Sequence, residues 1–343
     1  MKVSEFDYPL PESLIAQEPV TPRDASRLLV IPRDGSPLRH LRFTDLPDLL
    51  APGDLLVLND TRVVPARLVG RKASGGKCEL LLCEPLEPPV GARYRAMGQS
   101  SKPLRPGVGL RFGDLGAVIE ATEGDGFFAV RFDRMGRELE LALEREGRVP
   151  LPPYVRREPT AADRERYQTV LARVPGSAAA PTAGLHFTEG LLSRLDARGV
   201  RRTTVTLHVG PGTFLPVRSE EIEGHRMHPE RYHVSEEAAR AFADCRARGG
   251  RVVAVGSTAV RALESAFEGA GIRAGRGSTA LFIVPGYRFR ALDALVTNFH
   301  LPRSTLLMLV CAFAGKDRVL GAYREAVARA YRFFSYGDAT LVL

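Results

Sequence analysis

Six of the seven histidines fall after residue 180, and three of them, His186, His208 and His300, stand at loop edges beside glycine, proline and other small residues. A neutral imidazole can take or give a proton near physiological pH. Small neighbours let a ligand approach the backbone. His186 lies in "APTAGLHFT", which also carries Thr182, just ahead of a helix that Thr188 is placed to cap and Gly199 to end. A helix N-terminus at that point lowers an imidazole's pKa and keeps it a neutral base. His208 closes a strand before "VGPGTF", where Gly210 and Gly212 allow close approach, and His300 closes a strand before "LPRST". Together the three suggest a shared crevice; each taken alone is more often a histidine satisfied inside the fold. The segment "HRMHPERYH" invites a metal through His225, His228 and His233. Helical ligands want i, i+4 spacing and Pro229 breaks a helix there, so no metal site is expected.

Other polar residues sit where apolar runs stop. "VLNDTRVVPAR" ends a buried strand in Asn59, Asp60, Thr61 and Arg62, on the side where α/β sheets hold ligands; a structural Asp–Arg turn is the plainer alternative. "VVAVGSTAVRALES" reads as strand, tight turn and helix, a place where free N–H groups meet a carboxylate or phosphate, with Thr258 and Arg261 at hand. The alternative is an ordinary N-cap at Ser257 or Thr258. The glycine and lysine spacings of Walker and dinucleotide loops are absent. "YRFFSYGDA" puts Tyr336 beside Asp338, aromatic and carboxylate faces suited to a cationic or planar ligand, or else a core-sealing segment. Between residues 91 and 113, Arg93, Arg95, Lys102, Arg105 and Arg111 occur with no acidic residue, a candidate RNA-phosphate contact or a solvated basic face.

The elements that must position these residues are read from texture. Strand-like runs at 27–31 and 54–60 are followed, from about 64 to 149, by short alternating strands between Gly and Pro turns, the pattern of a small β-barrel, with a helix over 137–147. The Pro-rich "VPLPPYVRREP" (149–159) marks a boundary. After 160, strands (203–209, 251–256, 294–300 and a final "ATLVL") alternate with helices opened by Ser235 and Ser304. The fold class expected is α/β: a discontinuous catalytic domain, 1–63 and 150–343, interrupted by an inserted β-barrel over 64–149. A net charge of +8 suits a polyanionic partner such as RNA. Four scattered cysteines, an N-terminus without an apolar core, and a longest apolar run of "LLMLVCAFA" predict a reduced, cytoplasmic chain with no membrane span.

Ten of these segments, from "FDYPLPESLIAQEP" through "LVLNDTRVVPARL", "AAPTAGLHFT", "VTLHVGPGTFLPVR" and "RVVAVGSTAVRALES" to "DALVTNFHLPRSTLLMLVCAFAG" and "YRFFSYGDA", occur in order along the chain. In them the sequence closely resembles the S-adenosylmethionine:tRNA ribosyltransferase-isomerase (QueA) family of queuosine biosynthesis. The resemblance implies transfer and rearrangement of the ribosyl part of S-adenosylmethionine onto a 7-aminomethyl-7-deazaguanine wobble base of tRNA. Epoxyqueuosine-tRNA, adenine and methionine are the implied products. S-adenosylmethionine is then a consumed co-substrate, with no metal or redox cofactor. The expected partner is tRNA carrying the precursor base, and the expected state is a monomer.

That chemistry needs a base beside the sulfonium-activated ribose C–H, an uncharged substrate amine, and protonation of departing adenine. The expected assignments are His186 or His208 as base, with His300, Asp60 and Asp338 as further catalytic candidates. Thr258 and Arg261 would hold the methionine end, with Tyr336 facing the sulfonium or adenine. Asn59, Arg62, Thr182, Gly210 and Gly212 complete the expected substrate contacts. Two rival readings are a non-catalytic tRNA-binding protein and a metallohydrolase built on the His225 cluster.

Overall fold

Four apolar runs, Leu55–Asn59, Val252–Val255, Ala294–Asn298 and Ala339–Val342, are buried along their whole length. Such runs need cover on both sheet faces. In the computed structural model, which describes residues 1–86, 91–210, 217 and 219–343, they lie side by side in a nine-stranded mixed sheet. Its order is Gly275–Thr279, Glu230–Val234, Arg201–Leu207, Leu55–Asn59, Val252–Val255, Ala294–Asn298, Ala339–Val342, Arg27–Ile31 and Arg39–Arg42. Successive side chains divide between two cores, as strand geometry requires. Leu55, Val57, Val252 and Ala254 pack with Phe242, Val260 and Leu263, whereas Leu56, Leu58, Val253 and Val255 meet Phe43, Phe187, Leu191 and Leu195.

The strands Arg201–Leu207, Leu55–Asn59, Val252–Val255 and Ala294–Asn298 are mutually parallel, so their carboxyl ends share one edge. Ala339–Val342 runs against Ala294–Asn298 with Asn298 opposite Ala339, which brings the preceding 331–338 segment to that edge as well. The expected strand 203–209 lies two residues earlier, at Arg201–Leu207. Arg201 pairs with Leu55 directly after the helix Glu189–Ala197 and the turn at Gly199, and the strand stops where His208 turns toward Thr61. Thr188 caps that helix through Leu191 N, as its sequence predicts.

The stretch with the Gly/Pro texture closes into a six-stranded antiparallel barrel spanning Arg67 to Phe132. Leu68, Leu80, Ala96, Phe112, Ile119 and Val130 fill its interior, and Leu139 and Ala142 of the helix Gly136–Glu146 join the same core. Chain exit and return run together: Thr61–Val63 pairs with Val174–Ser177, and Arg67 bridges Arg148. The barrel is thereby inserted into the α/β unit at a single point.

Candidate active site

At the shared carboxyl edge, the Gly256–Thr258 turn, the Thr297–His300 strand end, the 179–183 loop, Tyr154 of the Pro-rich connector, and Phe334 and Ser335 enclose a cleft. Its closed volume is about 60 Å³, room for a few waters. No charged side chain lines it among the described residues. Gly256 turns from strand to helix with φ +83°, a left-handed conformation that favours glycine. The helix Gly256–Ala266 that follows starts inside the cleft, with no side-chain cap and no acidic residue in its first turn. The alternative of an N-cap at Ser257 or Thr258 does not hold, because the helix is already under way at both. Thr258 Oγ1 is instead shut from solvent with no hydrogen-bond partner among the described residues.

His300 lines this cleft. Its Nε2 shares a 2.9 Å hydrogen bond with Thr297 Oγ1, and its Nδ1 has no hydrogen-bond partner among the described residues. Burial pushes the imidazole down to about 3, so it is neutral at physiological pH. Thr182 lines the same cleft.

His186 lies behind the cleft wall. Both ring nitrogens are engaged, Nδ1 with Ser26 Oγ at 2.8 Å and Nε2 with Asn298 Nδ2 at 3.0 Å, and the ring stacks on Phe43. Burial, aided by the Arg332 guanidinium, pushes it down to about 3. Because the Asn298 amide donates to Nε2, the proton of the neutral ring sits on Nδ1 and goes to Ser26. His208 lies on the far side of Val209, in a separate hollow facing the barrel residues Cys83, Arg95 and Phe127, with Gly210 beside it. Its Nδ1 meets Thr61 Oγ1 at 2.7 Å, and burial, with a further contribution from Arg231, pushes it down to about 4. The three histidines therefore do not share one crevice.

Several other expected contacts are committed elsewhere. The Asn59 amide donates to Leu207 O and accepts from Thr61 N and Leu207 N, tying two strands together. Asp60 is buried under Arg173, Thr204 and Thr206, while Arg62 points to solvent. Arg261 is buried against Glu230 and donates to Leu281 O and Thr279 O, so its guanidinium is turned away from the cleft. Asp338 accepts from Arg27 and from Arg332 N and clamps the C-terminal segment. Tyr336 OH donates to Asp163 at 3.1 Å, and it is the neighbouring Phe334 and Ser335 that reach the cleft. Gly210 N donates to Glu230; Gly212 lies outside the described residues.

The basic stretch of the barrel is less bare than its local sequence. Arg93 pairs with Glu120 and Arg95 with Glu123, carboxylates brought in by the strand Leu115–Gly124. The Arg111 side chain donates to Asp114 O, and Lys102 and Arg105 are exposed.

Two residues that sequence reasoning passed over define the cleft. Asn298 is 2% exposed, and its Oδ1 has no hydrogen-bond partner among the described residues. The available signal was a single amide at the end of the apolar run "ALVTN". Tyr154 packs edge-on against Phe334 and hydrogen-bonds Ser335. On the other side of its connector lies a hollow of about 570 Å³, lined by Leu151, Pro152, Val155 and the barrel's Met97. The connector is thus a thin wall with open space on both sides.

An α/β sheet interrupted by a closed barrel defines a two-part fold with a cleft at the carboxyl edge of the sheet, where such sheets hold ligands. The chain belongs to the family described as "Queuosine biosynthesis protein", whose model matches residues 3–342. It is 70% identical over 342 residues to the S-adenosylmethionine:tRNA ribosyltransferase-isomerase of Anaeromyxobacter sp. (strain Fw109-5), covering 100% of this chain and 99% of that one. To the enzyme of the same name from Geobacter sulfurreducens it is 54% identical, with both chains covered completely. The crystal structure of the S-adenosylmethionine tRNA ribosyltransferase from Thermotoga maritima is similar with a TM-score of 0.58 and 41% identity, covering 99% of this chain and 100% of that one. No helix among the described residues is long and apolar enough to cross a membrane.

Proposed function

We propose that this chain carries out the reaction its relatives are named for. It transfers the ribosyl part of S-adenosylmethionine to the 7-aminomethyl-7-deazaguanine wobble base of tRNA and rearranges it, giving epoxyqueuosine-tRNA, adenine and methionine. The observation that carries this reading is a full-length relationship, at 54–70% identity, to enzymes bearing that name. S-adenosylmethionine is a consumed co-substrate, and the proposed chemistry uses no metal or redox cofactor. The setting is a cytoplasmic monomer with tRNA as its partner.

Chemistry is assigned to the cleft at the carboxyl edge. His300, neutral and with Nδ1 uncommitted, accepts a proton made acidic by the neighbouring sulfonium. The imidazolium so formed returns that proton to departing adenine. Phe334 and Tyr154 offer aromatic faces to the sulfonium cation. A cleft of about 60 Å³ is too small for a nucleoside, since ligand pockets run to roughly 300 Å³ or more. Entry therefore requires the connector wall carrying Tyr154 to move. Lys102 and Arg105 on the barrel supply phosphate contacts, and the wobble base is splayed from its stack to reach the sheet edge.

The test is adenine and methionine release from S-adenosylmethionine in the presence of tRNA bearing the precursor base. Equimolar release that depends on that tRNA is expected. Folded protein that binds the tRNA and releases no adenine would reduce the chain to an RNA-binding protein.

A further inference from the structure

Two residues that line the cleft each carry a polar atom shut from solvent and without a hydrogen-bond partner among the described residues, Asn298 Oδ1 and Thr258 Oγ1. Buried polar groups in native proteins are nearly always hydrogen-bonded, and leaving one unpaired costs roughly 1–3 kcal/mol. Two in one cavity therefore point to a ligand. Their chemistry is specific. The Asn298 amide nitrogen lies 3.0 Å from Phe334 O and 3.0 Å from His186 Nε2. A carbonyl oxygen can only accept, so the atom facing it must be the NH₂. Turning the amide over would set two oxygens against each other. The oxygen is thereby held as a bare acceptor in a site without charged side chains among the described residues.

Beside it the helix Gly256–Ala266 offers its uncapped first-turn N–H groups, with Thr258 Oγ1 among them. This is a positive dipole end next to a negative carbonyl oxygen. A net anion would be matched by only one of the two. A zwitterion is matched by both.

Resting on the function proposed above, we propose that this pair reads the α-amino-acid end of S-adenosylmethionine: the helix N-terminus and Thr258 Oγ1 take the α-carboxylate, and Asn298 Oδ1 takes the α-ammonium. His186 is then a positioning residue. Its Nε2 accepts from Asn298, its Nδ1–H donates to Ser26, and the strained Phe334 backbone (φ +75°) presents the second acceptor that fixes the amide. Arg261, buried on Glu230, has no part in holding the carboxylate.

The experiment compares dissociation constants of S-adenosylmethionine and of 5′-methylthioadenosine, which keeps the nucleoside and lacks both the sulfonium charge and the amino-acid end, so that the variants' effect on one ligand and not the other isolates that end. The native protein should prefer S-adenosylmethionine. Asn298→Ala and Thr258→Val should each weaken S-adenosylmethionine by about tenfold, the scale of one charge-assisted hydrogen bond, and leave the nucleoside unchanged. His186→Gln, whose side-chain oxygen can still accept from Asn298, should keep the preference, whereas His186→Leu should lose it. Equal weakening of both ligands in Thr258→Val and Asn298→Ala, or a native protein that binds them equally well, overturns the proposal. Should Asn298→Ala fail to fold, Thr258→Val and the native comparison still decide. Adenine release that persists while the preference is absent would sink this subsite and leave the reaction standing; no adenine release at all would sink the reaction itself.

Discussion

Acid should weaken this protein through its buried histidines. His186 and His300 are pushed from about 6.5 down to about 3 by burial, and His208 to about 4. In the folded chain they are neutral at pH 5, whereas in the unfolded chain each binds a proton below about pH 6.5. The unfolded state thus holds more protons, and stability falls as pH drops below about 6.5, by about 1.4 kcal/mol per pH unit for each group. Between pH 8 and pH 5 that amounts to about 2 kcal/mol for His186 alone, a sizeable share of the usual 5–15 kcal/mol. His186→Gln replaces the imidazole with a group that does not titrate and can still accept from Asn298. Urea unfolding of both proteins at pH 8, 6.5 and 5 separates the effects, because any pH-independent cost of the substitution cancels in the difference. The native protein should lose stability steeply toward pH 5, and the variant should lose about 2 kcal/mol less over the same span. An unchanged pH dependence in the variant would refute the burial assigned to His186. So would a native protein that gains stability on acidification.

Three further outcomes follow from the geometry. Gly256→Ala, at φ +83° with its new Cβ 3.4 Å from Ala183 Cβ, should cost about 1–2 kcal/mol of thermal stability and weaken S-adenosylmethionine binding by tilting the helix start. Arg261→Met removes the guanidinium that faces the buried Glu230 carboxylate and should cost about 3–5 kcal/mol in denaturant unfolding. The double variant with Glu230→Gln should recover part of that loss. Replacing Lys102 and Arg105 together with Glu should weaken tRNA binding, lower its salt slope by about 2, and leave S-adenosylmethionine affinity unchanged in equilibrium dialysis.

The large elements were legible because each rests on a local cause. Apolar runs such as "VVAV" and "ALVTN" announce strands covered on both faces, and Gly/Pro spacing between 64 and 149 announces short antiparallel strands. The sheet edge at which the cleft lies was legible too, since polar residues cluster where those runs stop. Which side chain turns into the cleft was not, because partners arrive from distant sequence. Arg261 looks free until Glu230 is folded against it. Arg93 and Arg95 look uncompensated until the strand Leu115–Gly124 brings Glu120 and Glu123. His186 stands on a small-residue loop suited to a ligand, yet Ser26 and Asn298, from 160 and 112 residues away, take both its nitrogens. Asn298 itself hid as a lone amide at the end of an apolar run.

The central claim is that chemistry occurs at the cleft between the Gly256–Thr258 turn and the Thr297–His300 strand end. Its most direct test is the location of bound ligand in a crystal structure of this protein soaked with S-adenosylmethionine. The account predicts density with the amino-acid end at Thr258 and Asn298, the sulfonium near Phe334, and the Tyr154 connector displaced outward. Density in the hollow beneath the barrel, against His208 and Arg231, with the cleft still closed, would contradict it.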